Sequence, residues 1–237
     1  MPENSDGGLG FFSMETLRCA IFRILRILYK PKAVFMEISD KPDYIGPLII
    51  FALNILLSVA DMYIVYSKIH VGENEEVILI SSSGLSSFLT FSLVDAFFWE
   101  SVTLLLYIGC FLLFFLLFRG KGNAKTVFSV IGYSFFVASI GKGVFAVIGS
   151  QLPALLVASP PVEPPPSDGV SLIEMWKSSS AVAFWIFEAR IAIRRAMKFI
   201  LPGFCGIGMH FSFEISWIRS ITAAAFMVLI AVLFFGF

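Results

Sequence analysis

The sequence is poor in charge, in histidine and in paired cysteine. Charged residues make up 14% of the 237, and 17 acids balance 17 bases. With zero net charge, nothing marks the chain as a nucleic-acid binder. The three cysteines, Cys19, Cys110 and Cys205, lie far apart and form no C-x-x-C pair. Neither a disulfide framework nor a thiolate metal site is expected. His70 and His210 are too few for a histidine-based metal centre. No N-x-S/T acceptor occurs. Arg18, Arg23 and Arg26 interrupt the first apolar run, and no small-residue cleavage site follows, unlike a signal peptide. No His–acid–nucleophile set and no metal-ligand spacing emerges. The expectation is a protein that is not an enzyme and uses no metal or cofactor.

Apolar residues are abundant instead, at 58%, with a mean hydropathy of +0.88. Soluble domains are about 45–50% apolar and about 25% charged. The excess is too large for a soluble core to hide, so the fold class is all-α, a polytopic membrane helical bundle.

Residues 1–10 read as a loose polar tail and 11–45 as a cytoplasmic basic amphipathic segment. Residues 46–237 read as the bundle, with about five transmembrane helices near 46–66, 97–118, 126–150, 181–208 and 218–237. Within 14–29, Leu17, Ile21, Ile24, Leu25 and Leu28 share a helical face, and Arg23 and Arg26 lie away from it. Such a helix suits an anionic membrane surface, or packs on its own bundle. Residues 67–84 form an acidic loop with Glu73, Glu75 and Glu76, and "SPPVEPPPSDG" an extended one. The segment 181–210 is long enough to cross but carries Glu188, Arg190, Arg194, Arg195 and Lys198. It either spans with that face turned into the bundle or lies flat at the interface; Pro202 kinks it in both cases. "RGKGNAKT" lacks P-loop spacing and reads as a basic loop, and "GFCGIG" reads as close helix packing.

Basic residues flanking the spans set the orientation. Six precede Gly46 and three lie in 119–125, against Lys68 and Lys177 in the other two loops. The N-terminus is therefore expected in the cytoplasm. On this assignment Asp61, Asp95, Glu100, Lys142, Glu188 and Arg190 fall toward the outer side, with Arg194 and Arg195 near the middle. Intramembrane charges pair with each other or face a water-filled cavity. The equal signs favour pairing; the alternative is a polar vestibule or ion path.

The opening of the first span is distinctive. Pro31, Phe35, Pro42 and Asp43 are followed by "DYIGP" at 43–47, with Tyr44, Gly46 and Pro47, and "GYS" (Gly132, Tyr133, Ser134) opens the third span after a basic loop. In this order and spacing the chain resembles the Yip1 domain family. The resemblance covers about 27–150 well and implies a five-span membrane protein with no known enzymatic activity. Eukaryotic members act in vesicle trafficking and are linked to Rab-type small GTPases through a cytoplasmic N-terminal part. Here that part is about forty residues and basic, closer to the prokaryotic members. The motif residues also have a structural reading: prolines at a helix start, and an acid capping first-turn amides.

The expected function is that of a non-catalytic integral membrane protein that organises membrane or partner proteins, in the cell membrane if the chain is prokaryotic. Expected partners are the lipid bilayer, anionic lipids at the N-terminal basic helix, and a protein at the cytoplasmic face. The alternative is a small transporter or channel using the outer-side charge cluster, or lipid movement along the charged face of 181–200.

Overall fold

The computed structural model describes residues 14–71, 76–77, 82–120, 122–157, 174 and 176–235. The N-terminal tail, Glu73, Glu75 and the proline cluster lie outside the described residues.

Two short helices come first, α1 (Met14–Arg26) and α2 (Pro31–Asp40). Pro31 sits in the first turn of α2, where its missing N–H is harmless. Next come α3 (Ile45–Tyr66), α4 (Ser82–Leu117), α5 (Ala124–Ser134) and α6 (Phe136–Gly149). The last two helices are α7 (Ala181–Phe213) and α8 (Trp217–Phe235). Asn123 caps α5 by accepting from the Thr126 amide at 2.9 Å, and Ser180 caps α7 by accepting from Val182 at 3.2 Å.

Four of these segments are long and apolar enough to cross a membrane: α3, residues 88–117 of α4, α5 with α6, and α8. The chain is a multi-pass integral membrane protein. The expected fifth crossing, α7, falls short on apolarity because of its charges, yet it is not laid flat across the bundle. Arg190 near its start lies by Gly149 at the end of α6, Met197 packs at Gly141, and Gly208 packs at Val130 of α5. α7 therefore runs the length of the bundle, antiparallel to α5 and α6. Its 33 residues cover about 50 Å.

Two local expectations are corrected, and one left open is narrowed. The third span is not one continuous helix but breaks at Phe135. There the fully buried Asn54 of α3 donates its amide to the Phe135 carbonyl at 3.4 Å and to Ile50 at 3.0 Å. The loops at the far end are not wholly irregular either. β1 (Ile69–Val71) pairs antiparallel with β2 (Glu76–Val77) and parallel with β3 (Leu155–Val157). Beneath this small sheet Ile69, Leu152, Leu155, Trp176, Ala183 and Phe187 form a second core.

The third point concerns α1, whose apolar face is expected either at a membrane surface or against the bundle. Ala20, Arg23 and Ile24 are its buried residues, whereas Leu17, Ile21, Leu25 and Leu28 of the expected apolar face are exposed. The face is inverted relative to a water-soluble protein. In lipid, an apolar stripe gains nothing by turning inward, while a guanidinium must find partners there.

Candidate functional site

Two polar clusters sit in the bundle, one at the end formed by α1 and α2 and one toward the opposite end.

The first is built around Asp43, in the turn between α2 and α3. Its Oδ1 accepts from the Gly46 amide at 2.8 Å, satisfying a first-turn donor of α3. Its Oδ2 accepts from Arg23 at 2.6 Å and from the Tyr133 hydroxyl at 3.0 Å. Arg23 also donates to the carbonyls of Lys41 at 2.9 Å and Glu37 at 3.2 Å. Ser129 donates to the Asp43 carbonyl at 2.5 Å. Arg26 pairs with Glu37 at 2.7 Å beside them. One carboxylate thus ties α1, α3 and α5 together. Close approach makes this possible: a side chain on Gly46 would overlap the Tyr133 ring, and one on Gly132 would overlap Pro47.

The sequence-singled motif residues gather at this place. Phe35 is fully buried against Gly208 and its carbonyl accepts from Ser212 at 2.8 Å. Ser134 is buried and donates to Val130 at 2.8 Å. Tyr44 packs at a tilt against Phe128, under the Lys125 ammonium. Pro42 lies between α2 and α3, where the chain turns. Arg23 is the member that sequence reasoning missed, because it was counted on the outward face of an amphipathic helix. Its signal was an arginine twenty residues before an unpartnered aspartate.

The second cluster contains six of the eight intramembrane charges expected together. Asp61 of α3 pairs with Arg190 of α7 at 2.6 Å. Gly149 makes room: a Cβ there would lie 2.5 Å from the guanidinium. Glu100 of α4 pairs with Lys142 of α6, whose ammonium also donates to the Asn54 carbonyl at 3.4 Å. Between these pairs is a cavity of about 230 Å³ lined by Asp61, Asp95, Glu100, Lys142 and Arg194, with Ser58, Met62, Ala96, Trp99 and Phe145. Glu188 is not a member, since it pairs with Lys177 at 2.7 Å nearer the far end. Arg195 is exposed and does not line the cavity. Each ion pair offsets an insertion cost of about 2.5–3.5 kcal/mol per central charge. Asn54, whose backbone carbonyl accepts from Lys142, was missed as a lone amide in an apolar run.

Comparison with curated proteins finds no match, and comparison with solved structures finds none. The Yip1 domain family model matches residues 25–237. That span takes in α2 through α8, the whole second cluster and all of the first except Arg23, and so the chain belongs to the Yip1 domain family.

Proposed function

We propose that the protein is a non-catalytic membrane organiser whose α1–α2 end faces the cytoplasm and sits in an anionic membrane surface. The observation that carries this reading is the inverted packing of α1. Arg23 fixes the helix to the bundle from one side, and the other side presents Leu17, Ile21, Phe22, Leu25 and Leu28. That exposed stripe continues onto α3: Met14 and Leu17 share a groove with Leu48, Ile49 and Ala52. Arg18, Lys30, Lys32 and Lys41 are exposed around it. A basic helix with an apolar stripe sinks about 5–10 Å into the headgroup boundary. Each cation near an anionic surface contributes about 1 kcal/mol. Acids and bases inside the bundle are largely consumed by one another, which supports a scaffold over a reaction centre.

The test uses the full chain in nanodiscs, with a fluorophore on Ile21→Cys and the native cysteines replaced. Quenching by brominated lipid, together with enrichment of anionic lipid that Arg18→Gln/Lys30→Gln/Lys32→Gln abolishes, is the expected result. Quenching by aqueous iodide alone would refute the membrane seat. A crosslinked protein at Ile21 would instead make the stripe a protein-docking surface.

A further inference from the structure

We propose that the cavity between α3, α4, α6 and α7 binds the headgroup of a zwitterionic, amine-bearing phospholipid, of the phosphatidylethanolamine class. The site is distinct from the α1 surface and does not depend on its role.

The charge inventory selects the ligand class. Asp61, Asp95 and Glu100 stand against Lys142, Arg190 and Arg194, three of each sign. A neutral set has no preference for an ion of either sign. Two pairs close on themselves, Asp61 with Arg190 and Glu100 with Lys142. Asp95 of α4 and Arg194 of α7 remain in the cavity lining; among the described residues neither has an ion pair within 4 Å, and the Arg194 charge also acts on Asp61. A ligand that satisfies both must bring an ammonium and an anionic oxygen joined by a short linker. Phosphoethanolamine has that form.

Each half finds suitable chemistry. The ammonium meets Asp95. Trp99, in the cavity wall, adds an aromatic face for a cation. The phosphate meets Arg194, whose planar fork matches phosphodiester oxygens. At about 30 Å³ per water-sized group, 230 Å³ admits a headgroup of about eight non-hydrogen atoms.

The position selects the source. Asp61 is five residues short of the end of α3, or about 7–8 Å below it. Trp99 is half exposed and Arg194 is exposed, so the cavity opens sideways. Sideways, in a spanning bundle, is lipid. An exposed arginine at this depth snorkels toward phosphate.

The experiment is native mass spectrometry of the full chain in mixed micelles with equimolar phosphatidylethanolamine and phosphatidylglycerol. Retention of phosphatidylethanolamine is expected to fall roughly tenfold or more in Asp95→Asn and in Arg194→Gln, because each loses one charge-assisted contact. Arg195→Gln, outside the cavity, should leave it unchanged. Among the described residues neither Asp95 nor Arg194 closes an ion pair, and circular dichroism of both variants should match the parent. Equal retention of phosphatidylglycerol, or variants that bind as the parent does, would overturn the site. Displacement of the lipid by equimolar free phosphoethanolamine or glycine would overturn the lipid source and point to an aqueous zwitterion.

Discussion

Arg23 and Asp43 offer a quantitative test of how the end of the bundle is held. Their side chains are 11% and 12% exposed, so solvent screens the pair little. Arg23→Gln leaves Asp43 as a carboxylate with two remaining donors, Gly46 and Tyr133. Breaking a buried pair from one side costs about 3–5 kcal/mol. The retained hydrogen bonds place Arg23→Gln toward the lower figure, roughly 3 kcal/mol. Asp43→Asn should cost a similar amount, since it strands the guanidinium. The double variant removes both charges and should cost less than the sum, with a coupling of about 2 kcal/mol. Arg23→Lys should recover only part, because an ammonium cannot span Asp43, Lys41 and Glu37 together. Reversible unfolding by SDS titration in lipid–detergent micelles reads all four. Additive single costs, within about 0.5 kcal/mol, would refute the pairing as the source of stability.

Gly46→Ala and Gly132→Ala should each destabilise by about 1–3 kcal/mol through overpacking; the same titration should show Tyr133→Ala partly relieving Gly46→Ala and leaving Gly132→Ala unrelieved. Gly149→Ala should evict the Arg190 guanidinium from its seat. Combined with Arg190→Gln it should then cost no more than Arg190→Gln alone, and an additive result would separate the glycine from the ion pair.

The parts of the fold visible in the sequence are those set by long apolar runs. α3 and α8 begin within a residue of where the pattern places them, since in lipid a run of apolar residues has one stable solution. That Asp61 would meet a base of another helix was also legible, because few partners are available at that depth, but the choice of Arg190 over Lys142 was not. The orientation of α1 was not. The periodicity locates an apolar stripe but does not say whether lipid or protein meets it, and Arg23 decides that through partners twenty and fourteen residues away. Glu188 was grouped with the cluster by depth alone, and Lys177, one turn outside the span, took it. The sheet escaped notice because its strands are two or three residues long and its parallel pair joins Ile69 to Leu155.

The two acids of the first span differ in when their partners are made. Arg23 precedes Asp43 by 20 residues, so both members of that pair are in the chain before the span is synthesised. Arg190 follows Asp61 by 129 residues. At about 5–20 residues per second, Asp61 waits roughly 6–26 s for its arginine. For that interval the nascent span carries an unanswered carboxylate near its trailing end. The first span therefore has both partners of its leading-end acid early and is provisional at the other end, where Asp61 is answered only once α7 has been made.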